Sequence, residues 1–289
     1  MKYICLFIVF LFVVFGVSGQ TNIFGVCVDS LGEPVEYVNI GIANTSCGIM
    51  TNAQGHFSFN IPDSLLEKSV TFSHISYENY TMPISELIRD LSKTNNIGED
   101  GFKIILAANS YSLQTVVVTA SKNKNTRIIN LNSRGVRIPK GYGMYEYPNT
   151  HKDDDRYKNF GVLFDLKNKT WIRQIELDIF KSTFDTLRYR VVAYRVENDN
   201  YTPIIHAPYY FNIEKSDEKQ HIECNLSDLN ICEQGTIYIG FETVKVSKGR
   251  FFLPAFAMTN TYFRNMATGG EYKRPFGFGL QVKGSVLKQ

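Results

Sequence analysis

The stretch from Gly25 to Pro62, GVCVDSLGEPVEYVNIGIANTSCGIMTNAQGHFSFNIP, leaves this chain few folds to choose from. Val26, Val28, Val35, Val38, Ile40 and Ile42 fall in short runs punctuated by Gly, Pro, Asn and Asp. That grammar belongs to antiparallel strands joined by tight turns. Asp29-Ser-Leu-Gly32-Glu-Pro34 reads as one turn, because Gly32 accepts a positive φ and Pro34 fixes φ ahead of the next run. Thr51-Asn-Ala-Gln-Gly55 reads as a second. Beyond it Phe57, Phe59 and Ile61 alternate with His56, Ser58 and Asn60, so one face of that strand is apolar and the other wet.

The order G-x-V-x-D-x-x-G-x-P-V, then V-N-I-x-I, then G-x-x-T-N-x-x-G-x-F-x-F-x-I-P resembles the carboxypeptidase-like regulatory domain of Bacteroidetes envelope proteins. Val70-Thr-Phe-Ser-His-Ile-Ser-Tyr77, with Ser76 where that family usually has Gly, and Leu113-Gln-Thr-Val-Val-Val-Thr-Ala120 extend the likeness over roughly residues 22 to 120. The resemblance implies a seven-stranded, transthyretin-like (prealbumin-like) β-sandwich with no catalytic residues of its own. In starch-utilisation-type TonB-dependent receptors the last motif leads into a plug and a barrel. Here the chain beyond that motif is too short for a large outer-membrane barrel, so no transmembrane barrel is expected.

Residues 1–19 carry one Lys, an apolar run from Ile4 to Val17 and the ending Val17-Ser18-Gly19, which predicts a signal peptide cleaved before Gln20. An uncleaved anchor is the alternative, since the run lies near the lower length limit for a span. Cys5 sits inside the apolar run and no Cys stands at the cleavage point, which argues against a lipoprotein. The expected address is the periplasm or the outer membrane. Lys and Arg (31) nearly balance Asp and Glu (28) and are scattered among them, so nothing points to nucleic acid.

Residues 20–120 read as the regulatory-like domain and 121–159 as a linker and irregular segment. Ser121 to Arg127 holds three positive charges and no apolar residue, while Gly135, Gly141 and Gly143 loosen the chain beyond it. Within the first domain Ser85 reads as the N-cap of a short helix with Leu87, Ile88 and Leu91 on its apolar side. Residues 160–289 return to strand grammar. Ile175, Leu177 and Ile179 alternate with Gln174, Glu176 and Asp178, and Leu187, Tyr189, Val191 and Ala193 share that phase against Arg188 and Arg190. Trp171 has the parity of the buried face. The class is therefore all-β, with a second antiparallel β-sandwich after the first and a jelly roll as one arrangement that fits. Phe180 to Tyr194 and Asn225 to Ile231 look like the C-terminal region often joined to such regulatory domains, a likeness that implies no known activity.

Zinc peptidase chemistry would need two His and a Glu on one metal. His56, His74, His151, His206 and His221 are scattered, and none opens an H-x-x-E or H-E-x-x-H. No phosphate loop and no G-x-S-x-G elbow appears. The expectation is a protein that is not an enzyme and needs no cofactor. Asp153, Asp154 and Asp155 form the densest set of oxygen ligands, without the spacing of a Ca²⁺ loop, and a solvated turn competes with that reading. Cys27, Cys47, Cys224 and Cys232 are disulfide candidates, paired within each domain, or buried thiols. Asp29-Ser30-Leu, Asp63-Ser64-Leu and Asp185-Thr186-Leu look like the short O-glycosylation signal of exported Bacteroidetes proteins. Phe251, Phe252, Phe256, Tyr262, Phe263, Tyr272, Phe276 and Phe278 read mainly as core, although Tyr on a sheet face also stacks on sugar. The leading function is a scaffolding protein that binds another envelope protein, including one of a TonB-dependent receptor system; the alternative is a glycan-binding module on the C-terminal sandwich, and the remote alternative a hydrolase with an unrecognised site.

Overall fold

The computed structural model describes residues 19–93, 101–109, 126–132, 135–147, 158–266, 268 and 270–287. Residues 1–18 of the expected leader, the Leu113–Ala120 motif and Asp153 to Asp155 lie outside the described residues. In the first unit β1 (Gln20–Asp29) runs between antiparallel β4 (His56–Pro62) and parallel β7 (Phe102–Leu106). The facing sheet is ordered β3 (Gly48–Met50), β2 (Asn39–Ile42), β5 (Ser69–His74), β6 (Tyr77–Pro83). Among the described residues three strands thus face four, in agreement with the seven-stranded sandwich that the resemblance implies. Ile23, Ile40, Ile61, Phe72 and Ile104 meet between the sheets.

Both turns form as their residues dictate. The Asp29 carboxylate accepts from the N–H groups of Leu31 and Glu33 at 2.8 and 2.9 Å, and Gly32 sits at φ +89°. Asn52 repeats the device with Gln54 and His56, both at 2.9 Å, and Gly55 at φ +75° packs against the Cys27 carbonyl, where a Cβ would approach to 2.6 Å. The helix α1 (Ile84–Lys93) starts two residues earlier than an N-cap at Ser85 would set it. Ser85 therefore lies in its first turn instead of capping it, because Ile84 is drawn into the core together with Leu87.

The rest of the described chain forms one twelve-stranded sheet. Its strands are β8 (Thr126–Asn132), β9 (Val136–Tyr147), β10 (Lys158–Ile179), β11 (Lys181–Ser182), β12 (Leu187–Glu197) and β13 (Asn200–Pro203). They continue with β14 (Tyr210–Asn212), β15 (Gln220–Asn225), β16 (Cys232–Val246), β17 (Gly249–Asn265), β18 (Glu271–Phe278) and β19 (Leu280–Leu287). The 22-residue β10 organises it. Its first half pairs with β16 and β17, its second half with β15 and β19. A register shift between Leu166 and Thr170 separates the halves, where Lys167, Asn168 and Lys169 face solvent. An irregularity of this kind bends a strand, so one strand serves two layers. Phe160 and Val162 from the first half share a core with Ile175 and Leu177 from the second, which closes the sheet into a sandwich.

Four details differ from the sequence reading. Residues 126–147, expected as linker and irregular chain, supply β8 and β9, paired with β19 and β17. Their glycines and tyrosines hide the alternation that marks other strands. Trp171 is only half-buried, because a second shift between Ile172 and Gln174 reverses the parity and sends Ile172 inward. Glu176 and Arg190, both expected on a wet face, are 5% and 1% exposed. Arg190 is buried because β12 and β16 are covered on both faces. The inner face takes Tyr189, Val191, Ile239 and Phe241, and the outer face carries the first sandwich.

That contact is built from side chains a soluble sheet face would leave wet. Glu242 on β16 accepts from Arg190 Nε and Nη2 at 2.9 and 2.6 Å and from Asn39 Nδ2 of the first sandwich at 2.7 Å. Around the pair, Tyr37 meets Tyr210 edge-on at 5.7 Å, and Met50 packs with Val244. Ile75, between β5 and β6, enters the core of the second unit. His74 beside it accepts from the Ser76 N–H at 3.2 Å, and burial, with Arg190 nearby, holds its imidazole well below the ordinary value. His74 is therefore neutral in the folded protein.

Candidate functional site

In a strand, residues two apart share a face, and this places four titratable side chains together. Glu176 and Asp178 are two apart on β10, and His221 and Glu223 are two apart on neighbouring β15. The register sets Glu176 opposite Glu223 and Asp178 opposite His221. Two carboxylates directly opposite repel, so the arrangement needs cations. Lys283 on β19 contacts Glu176 Oε1, which also accepts from Gln174 Nε2 at 2.7 Å. Lys219 reaches Asp178 at 2.9 Å.

His221 lies at the centre. Its Nδ1 meets Asp178 Oδ1 at 2.9 Å, while Nε2 faces Glu223 Oε1 at 3.3 Å and Glu176 Oε2 at 3.8 Å. The hydrogen bond to Asp178 raises the imidazole above its ordinary value, against partial desolvation and with help from both glutamates. Burial would raise Asp178, but hydrogen bonds from His221 and Lys219 bring its carboxyl below the ordinary range. The Glu176 side chain is 6% exposed, whereas His221 and Glu223 are 48% and 58% exposed. One buried carboxylate thus looks out through two groups at the surface. Such a set can hold a proton or a cation. Helical ligand spacings do not reveal it; in an all-β chain the informative spacings are His221-x-Glu223 and Glu176-x-Asp178.

A cleft of about 540 Å³ opens elsewhere on the second unit, between β8, β10, β16 and β17. Asn130, Asn132, Asn260, Thr236 and Asp165 line it with Tyr262, and among the described residues no Lys, Arg or His does. A third feature belongs to the first sandwich. Phe24 and Ile105 stand 40% and 59% exposed on the outward face of the three-stranded sheet, and Leu31, in the turn after β1, is 86% exposed.

The structure separates most residues singled out from the sequence. All four cysteines are free. Cys224 lies opposite Ile175 and Cys232 opposite Trp171, four residues apart along β10. That is roughly 13 Å at the rise of a strand, beyond disulfide reach. Burial pushes the Cys224 thiol up to about 12 and raises Cys27 as well, which disfavours the thiolate at both. Ser30, in a turn, and Ser64, in the short 3-10 helix Asp63–Leu65, are exposed, and Thr186, just after the bend at Asp185, is half-buried. His56 and His206 stand apart from the His221 group. Among the aromatics Phe251 and Phe278 are core, Tyr272 and Phe276 are exposed, and Phe263 stacks on Tyr272 at 4.9 Å. Arg264 lies 3.5 Å above the Tyr201 ring and 4.7 Å from that of Tyr194. No helix among the described residues is long and apolar enough to cross a membrane.

No curated protein matches the chain. The infectious bursal disease virus Gx strain structure is similar at 9% identity and a TM-score of 0.26, over 94% of this chain and 68% of that one. A T13 particle of that virus is similar at 12% identity and 0.24, over 93% and 63%. A structure of carbohydrate-binding modules from the β-sandwich superfamily is similar at 7% identity and 0.22, over 88% and 97%. Likenesses this loose carry no functional weight. The sequence itself is more specific: residues 23–118 match the family model described as the CarboxypepD_reg-like domain. The turn geometry at Asp29 and Asn52, the three-on-four sandwich and this match agree, and the N-terminal unit is a carboxypeptidase-like regulatory domain, a non-catalytic β-sandwich.

Proposed function

We propose that the protein is a non-catalytic interaction or scaffolding protein of a bacterial cell envelope, exported to the periplasm or outer membrane, that docks another envelope protein. The observation that carries this reading is the outward face of the regulatory domain. One face of that domain is spent on the second unit through Asn39, Tyr37 and Met50, yet the opposite sheet still presents Phe24 and Ile105 to solvent. Where exposed apolar side chains gather into a patch they mark a contact surface, and these are the large ones that this sheet exposes. His56, Ser58 and Lys103 flank them and supply a polar rim.

The test is in-cell crosslinking of a natively expressed, tagged copy and identification of the captured partner. Phe24→Asp with Ile105→Asp is expected to abolish capture of a partner that the wild type retains, at unchanged melting temperature. Capture of the same partner by both proteins, or recovery of the wild type alone, sinks the proposal.

The cleft favours a second reading, saccharide binding by the C-terminal unit. Carboxamides, hydroxyls and one carboxylate pair well with the hydroxyls of a neutral sugar. Neutral oligosaccharides at about 10 mM, enough for millimolar affinity, are then expected to shift the amide signals of Asn130, Asn132 and Asn260. Unmoved signals would remove this reading.

A further inference from the structure

We propose that Glu176, His221 and Glu223 form a site for a divalent transition-metal ion of the zinc class, with Asp178 as the residue that orients the imidazole. The site goes beyond the interaction reading and does not depend on it. The three ligand atoms, one from each residue, all lie within 4.8 Å of one another. In a tetrahedral zinc site, ligand distances of about 2.0–2.1 Å place ligand atoms roughly 3.3 Å apart. His221 Nε2 lies 3.3 Å from Glu223 Oε1, the spacing of such a pair, and 3.8 Å from Glu176 Oε2, which must draw in by about half an ångström to complete it.

Two further observations point the same way. The first is the pose of Glu176. Its side chain is 6% exposed and its polar contacts from Gln174 and Lys283 both fall on Oε1. Oε2 is left turned toward the His221 ring. The second is the pose of His221. A metal-bound histidine gives its other ring N–H to a carboxylate or carbonyl, which fixes its tautomer and aim. Asp178 Oδ1, 2.9 Å from Nδ1, supplies that partner and leaves Nε2 free for the ion. The exposure of His221 and Glu223 leaves the fourth position to water.

The competing occupant of the same space is a proton on Nε2. With it, His221, Lys219 and Lys283 balance the charges of Glu176, Asp178 and Glu223, and no metal is required. The two differ in what added metal does. A site for zinc binds when His221 loses its proton, because the ligand is the neutral imidazole.

The experiment is thermal melting of the chelator-treated full chain with Zn²⁺ or Mg²⁺. Zn²⁺ is expected to raise the melting temperature by a few degrees at saturation, since the assembled site binds it more tightly than the unfolded chain does, and Mg²⁺ to leave it unchanged. His221→Ala and Glu223→Gln, at exposed side chains that the core does not need, are expected to cut the apparent Zn²⁺ affinity at least tenfold, and Asp178→Asn about 10–100-fold. No shift with Zn²⁺ overturns the proposal, as does a Zn²⁺ shift that survives in both ligand variants. An equal shift with Mg²⁺ overturns the zinc-class assignment.

Discussion

Glu242→Ala lowers stability by about 3–5 kcal/mol, the range for breaking a buried ion pair from one side. The side chains of Arg190 and Glu242 are 1% and 2% exposed, so the guanidinium left behind has neither counter-charge nor water. The loss reaches across the two units, because Asn39 of the regulatory domain donates to the same carboxylate. In a chain of this size the melting temperature falls by roughly 10 °C. Arg190→Met with Glu242→Leu costs less than Glu242→Ala alone, since the double variant buries no orphaned charge. Denaturant melts of the three proteins check this. A Glu242→Ala loss below about 1 kcal/mol would mean that the contact between the units opens to water.

Phe160→Ala is the second large effect. Phe160 sits in the first half of β10, and its ring packs against those of Tyr145, Tyr189, Phe241, Phe251, Phe263 and Phe278 at 5.2 to 6.4 Å. Those six rings come from five other strands, β9, β12, β16, β17 and β18. They are fixed by separate backbone ladders and cannot all collapse into the space, so most of the cavity persists. A phenylalanine lost from such a core costs about 3–5 kcal/mol. Phe160→Leu keeps most of the volume and costs less. Equal losses for Ala and Leu would show that the ring's shape, not its volume, holds the layers together.

The regulatory domain was legible because its information is local. Asp29 to Pro34 and Thr51 to Gly55 specify their own turns, and the alternation at Phe57, Phe59 and Ile61 names the buried face without reference to anything distant. The second unit was legible only as a class. Its strands alternate where one face is wet, as at Leu187 and Tyr189, but the rule fails where a second body covers the other face. Arg190 and Glu176 look solvated in sequence because their partners, Glu242 and Lys283, lie 52 and 107 residues away. Trp171 was misplaced by a one-residue shift in register, which no alternation pattern reveals beforehand. The His221 group escaped for a similar reason. Its halves are 45 residues apart, and only the register of β10 with β15 brings Glu176 opposite Glu223.

The proposed function rests on the free face of the regulatory domain meeting a partner protein. Hydroxyl-radical footprinting in intact cells, compared with the purified chain, tests it most directly. Phe24, Leu31 and Ile105 are expected to be protected in cells, with Tyr262 and Met258, which also lines the cleft, labelled equally in both settings. Equal labelling of Phe24, Leu31 and Ile105 in both settings would contradict it, and protection confined to Met258 and Tyr262 would move the functional surface to the saccharide cleft.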